Sequence, residues 1–119
     1  MNEQQLIKIC LQLDATQVDY PFGDSWAVLR HANSRKWFAC VFIKADELCI
    51  NLKINPHEGD MLRQAFVSIE PAYHMNKEHW IMLKPNSGDV DQALLKYLIE
   101  NSYNLTKKAK PQKQISLIL

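Results

Sequence analysis

Lys36-Trp-Phe-Ala-Cys-Val-Phe-Ile-Lys44 and Glu47-Leu-Cys-Ile-Asn-Leu-Lys-Ile54 are separated only by Ala45-Asp46. Both runs are rich in β-branched and aromatic residues, and a two-residue link suits a tight hairpin, so they read as paired antiparallel strands. Alternation predicts one face of Val41, Ile43, Leu48, Ile50, Leu52 and Ile54, which is the expected core. The other face carries Phe38, Cys40, Phe42, Lys44, Glu47, Cys49, Asn51 and Lys53. That mixture is too apolar for open solvent and too charged for a core, which predicts a face partly covered and partly accessible.

Upstream, Trp26–His31 reads as a third strand joined through Asn33-Ser34, completing an antiparallel meander. Before it, Leu6, Ile9, Cys10 and Leu13 recur at helical spacing, which predicts a helix over 3–13 with its start at Asn2-Glu3. Tyr20-Pro-Phe-Gly23 marks a turn between the two. Downstream, Asn55-Pro-His-Glu58 combines an N-cap, a proline at the first helical position and an acidic first turn, followed by Met61, Leu62, Ala65 and Phe66. A helix over 56–66 follows from it. A fourth strand is expected over 79–84, then the turn Pro85-Asn-Ser-Gly88, then a long helix capped by Asp89. Val90, Ala93, Leu94, Tyr97, Leu98 and Asn101 give that helix its period to about Leu105. The element order is α-β-β-β-α-β-α, an α+β fold with an antiparallel β-sheet flanked by helices.

A chain of 119 residues suffices for one compact domain, expected over 1–105. The remainder, 106–119, is a tail: Thr106-Lys-Lys-Ala-Lys-Pro-Gln-Lys113 has the composition of a basic linker, and Gln114-Ile-Ser-Leu-Ile-Leu119 is apolar. No apolar run has the length of a membrane span, so no membrane partner is expected. Met1-Asn-Glu-Gln-Gln lacks the basic start and apolar core of a secretory signal, and the expected location is cytoplasmic. Cys10, Cys40 and Cys49 are odd in number, sit among apolar neighbours and show no C-x-x-C spacing, so they are expected as buried reduced thiols. A monomer or weak homodimer is expected. Net charge is only +1, yet it is unevenly spread: −3 over 1–24, +3 over 25–54, −3 over 55–91 and +4 over 92–119.

Pro71-Ala-Tyr-His-Met-Asn-Lys-Glu-His-Trp80 crowds two imidazoles, an amide, an ammonium, a phenol and an indole into one segment. Core formation does not require that mixture, and burying all of it is costly unless the polar tips find partners. The segment should line a groove. With Tyr20-Pro-Phe-Gly23, Lys36-Trp-Phe-Ala39, Asn51-Leu-Lys53 and Ser102-Tyr103, it resembles the MmcQ/YjbR family in order and approximate spacing, over about residues 1–105. The resemblance implies a single CyaY-like domain and a DNA-binding label that rests on fold likeness. Ala72 stands where the family commonly has Gly, and the tail lies outside the shared pattern.

Two binding readings follow, and DNA is the leading partner. Arg30, Arg35, Lys36, Lys53, Lys77 and Lys84 are the candidate phosphate contacts, with Trp37, Phe38 and Phe42 able to stack on bases or to support the sheet. The alternative is a small anionic ligand, or a protein partner, in a groove made by Lys53, Tyr73, His74, Asn76, Lys77, His79, Trp80 and Tyr103. A competing structural role has His74 and Asn76 bracing a loop and Trp80 filling core. His74 and His79 are five apart and miss the spacing of two ligands on one helix face, and His57 and Glu58 suit the first turn of a helix, so no metal is expected. No nucleophile elbow and no glycine-rich phosphate loop occurs. The chain is read as non-enzymatic, with no cofactor.

Overall fold

A computed structural model describes residues 1–107. Three helices and six strands follow in order: α1 (Glu3–Leu11), β1 (Thr16–Asp19), β2 (Trp26–His31), β3 (Trp37–Lys44), β4 (Glu47–Lys53), α2 (Pro56–Ala65), β5 (Glu70–Pro71), β6 (Trp80–Leu83) and α3 (Gln92–Thr106). All strands pair antiparallel in one sheet ordered β1-β2-β3-β4-β6-β5. The α+β architecture read from the sequence is the one observed, with two short strands, β1 and β5, added at the sheet edges. The tail beyond Lys107 lies outside the described residues.

Local chemistry sets the boundaries. Asn2 and Gln5 form a reciprocal capping box at α1, and Asn55 accepts from His57 and Glu58 N–H at the start of α2, where Pro56 follows. The β3–β4 turn holds both Ala45 (φ 51°) and Asp46 (φ 64°) in the left-handed region, the twist a two-residue hairpin needs. The N-cap of α3 is Asp91, whose carboxylate accepts from Leu94 N–H, and not Asp89 as expected. Asp89 instead binds Ser68 through its N–H (3.0 Å) and its hydroxyl, and accepts from Ser87 Oγ at 2.7 Å. The Ser68 hydroxyl, then the Ser68 N–H and the Ser87 hydroxyl, draw its pKa from 3.8 down to about 2.

The sheet's first face packs on α1 and α3. Leu6, Cys10, Leu95, Leu98, Ile99 and Tyr103 close over Val41, Ile50 and Leu52. Ile43, expected in this core, is 49% exposed because it lies near the turn end of the hairpin. The buried stripe of α3 is Leu95, Leu98, Ile99, Ser102, Tyr103 and Thr106, rotated from the expected one: Tyr97 is exposed, as is Met61 on α2. Both stripes satisfy helical spacing, and the sheet selects the one with more apolar surface to cover.

Phe38 departs from simple alternation. Leu29 pairs with Ala39 and Arg30 with Trp37, so Phe38 is the extra residue of a β-bulge and joins the helix-side core. Its carbonyl accepts from Ser102 Oγ at 2.5 Å, while Lys53 N–H donates to that same oxygen at 2.8 Å. A single α3 hydroxyl is thereby inserted between β3 and β4.

Candidate nucleic-acid interface

The second sheet face carries Val28, Cys40, Phe42, Cys49 and Met82, flanked by Trp26, Trp37 and Met75. The loop between β5 and β6 crosses its centre. Asn51 Nδ2 donates to Tyr73 O at 2.8 Å, Met75 sulfur lies 3.9 Å from Cys40 Sγ, and Tyr73 lies near the Trp26 and Phe42 rings. His74 is held at φ 61°, a conformation uncommon for a residue with a Cβ. The face is covered in its middle and open at two flanks.

At one flank, Phe22, Ser25, Trp26, Trp37, His74 and Met75 enclose a groove of about 390 Å³. Trp26 stacks on Phe42 at 4.2 Å, and Phe22 meets Trp37 edge-on at 5.8 Å. At the end of the sheet, Lys36, Trp37, Lys53, Trp80, Leu105 and Thr106 line a second groove of about 240 Å³. The Lys53 ammonium sits 5.9 Å from the Trp80 ring centre. Trp37 is a wall of both grooves, and all three tryptophans of the chain line one or the other.

The six cations read as phosphate contacts do not form one surface. Arg30 is paired with Asp19 at 2.9 Å and lies over the Trp37 ring, and Arg35 reaches the same Asp19 oxygen at 3.4 Å. Lys84 is bound to Glu70 at 2.8 Å and lies 3.4 Å from Glu47, and the Glu70 hydrogen bond raises its pKa. Lys77 Nζ donates to Ala72 O at 3.0 Å. Among the described residues only Lys36 and Lys53 of that set make no ion pair or side-chain hydrogen bond, and they share the end groove.

Nor do the eight residues of the alternative groove converge. Asn76 Oδ1 accepts from the N–H groups of Glu78 (2.9 Å) and His79 (3.3 Å), capping a turn instead of facing a ligand. Tyr103 OH donates to Asp14 O at 2.6 Å within the helix-side core, and Trp80 is buried. His79 lies 3.5 Å from Glu78 and its carbonyl accepts from Ile54 N–H. Tyr73 and His74 are exposed, their rings 3.8 Å apart, with Lys44 Nζ 5.2 Å from the Tyr73 ring. Phe22, Ser25, Trp26 and Met75 were absent from both sequence-derived sets. The aromatics bracketing Gly23-Asp24-Ser25 were the available signal, but a turn with flanking rings reads equally as an anchor.

The fold and these grooves define a small α+β domain with helices on one sheet face and an aromatic, loop-crossed surface on the other. The chain belongs to the YjbR family, whose model, described as YjbR, matches residues 11–105. It is 34% identical over 102 residues to the uncharacterized protein YbdF of Escherichia coli O157:H7, covering 82% of this chain and 78% of that one. It is 31% identical over 119 residues to the uncharacterized protein YyaQ of Bacillus subtilis strain 168, covering 90% and 99%. A crystal structure of a Pseudomonas syringae protein superposes with a TM-score of 0.78 at 35% identity, covering 90% of this chain and all of that one. No described helix is long and apolar enough to cross a membrane.

Proposed function

We propose that this domain is a non-enzymatic nucleic-acid-binding module whose contact surface is the end groove of Lys36, Trp37, Lys53 and Trp80. One observation carries the reading: Lys36 and Lys53, the two of the six candidate phosphate contacts that make no ion pair or side-chain hydrogen bond among the described residues, share this groove with Trp37 and Trp80. Both lysines come from the first basic block of the sequence. Cations beside indole rings suit phosphates beside bases. Burial pushes the Cys10 and Cys40 thiols up to about 12, which removes both as thiolate nucleophiles.

Two neutralised phosphates, at about 0.7 to 0.9 released counterions each, lower affinity by roughly 7- to 12-fold for a fourfold rise in salt. Fluorescence anisotropy of a labelled oligonucleotide across a salt series measures that slope. Lys36→Ala with Lys53→Ala should weaken binding to every sequence and flatten the slope. Salt-independent binding, or none at low ionic strength, refutes the assignment.

A further inference from the structure

We infer that the strand taken by this surface is single, with one unpaired base seated in the neighbouring groove between Trp26 and Trp37. This rests on the nucleic-acid reading above and adds to it a second site and a choice of strand form. Trp26 and Trp37 both pack on the second sheet face, from opposite ends of the β2–β3 hairpin. The space between them is closed by Phe22, His74 and Met75 and has a volume typical of small-ligand pockets, about 300–1,000 Å³. Its walls offer ring faces and a thioether, and its polar groups are the Ser25 hydroxyl and the exposed His74 imidazole. That chemistry fits a planar heteroaromatic ring with hydrogen-bonding edges.

The strand form follows from the aromatic lining of the groove. Bases in a duplex are stacked on both sides and present only their edges in the grooves, so aromatic walls gain contact only with a base that has left the stack. Trp37 is shared with the groove holding Lys36 and Lys53, so a backbone held by those ammonium groups runs beside the aromatic site. The site is also built in advance. Asn51 holds the Tyr73 carbonyl, Asn76 caps the turn beyond, and Phe42 backs Trp26, so little ordering is left for binding.

The test compares a short labelled oligothymidylate with a mixed-sequence duplex of equal length, by anisotropy at low salt and by quenching of tryptophan fluorescence. Trp26→Ala would remove the ring stacked on Phe42, so the variant used is Phe22→Ala, where the side chain is 65% exposed. The single strand should bind about tenfold tighter than the duplex and quench the tryptophans. Phe22→Ala should erase that preference while leaving the salt dependence of duplex binding, which Lys36 and Lys53 set, unchanged. Equal or tighter duplex binding overturns this inference and leaves the nucleic-acid reading standing, as does a Phe22→Ala variant that keeps its preference. Binding of neither probe takes both down.

Discussion

Ser102→Ala removes one oxygen and strands two backbone groups. In the folded protein that hydroxyl donates to Phe38 O at 2.5 Å and accepts from Lys53 N–H at 2.8 Å, and Ser102 and Phe38 are both fully buried. The hydroxyl stands between Phe38 O and Lys53 N–H just beyond Ala39 and Leu52, the last paired residues of β3 and β4, so both groups lose their partner once it is gone. A buried group left without a partner costs about 1–3 kcal/mol, so the pair amounts to about 2–6 kcal/mol, a large share of a small domain's stability. At about 2 kcal/mol per molar urea, the midpoint should fall by roughly 1–3 M with the slope unchanged. Urea unfolding followed by tryptophan fluorescence reads this directly, and Ser25→Ala, at an exposed position, serves as the control expected to stay within about 0.5 kcal/mol. Because Trp37 and Lys53 flank the inserted hydroxyl, the variant should also weaken oligonucleotide binding. A midpoint within about 0.3 M of the parent would refute the reasoning, since it would mean that the strands close or that water replaces the hydroxyl at little cost.

Asp89 gives a pH prediction. Its folded pKa, held near 2 by Ser68 and Ser87, lies below the ordinary 3.8, so its contribution is complete above 3.8 and disappears as pH falls towards 2. Asp89→Asn should flatten the acid limb of the stability curve across that window, and parallel curves for parent and variant would sink the assignment. The thiols give a chemical one. Cys10, Cys40 and Cys49 are all buried, and burial raises the pKa of each, so a thiol reagent should label none in the native protein and all three in denaturant. Stoichiometric labelling without denaturant would contradict the packing of the second sheet face.

The long elements were legible because each had a strong local cause: the two-residue hairpin link, the Asn55-Pro56 helix start and the alternation from Val41 to Leu52. The strands missed from sequence were those without such a cause. β1 has four residues, all half-buried, and β5 has two, so neither carries an alternation long enough to register. Asp89 and Asp91 are both sensible caps, and only the tertiary contact with Ser68 decides between them. The site was half legible. Lys36, Lys53 and Trp80 were marked and do share a groove, but Asn76, Lys77 and Tyr103 spend their polar groups on main-chain carbonyls and N–H groups that sequence gives no means of locating. Arg30, Arg35 and Lys84 look free in one dimension because their carboxylate partners lie 11 to 37 residues away.

The brevity of the outermost strands has its own effect. β5 offers two residues, one of them Pro71 with no N–H, and β1 ends at Asp19, clasped by two arginines. Among the described residues, a neighbouring molecule therefore finds only two residues at one margin and four at the other to extend, which disfavours stacking of copies into fibrils. The aromatic surface can stay partly bare because the described margins beside it give a growing assembly little backbone to pair with.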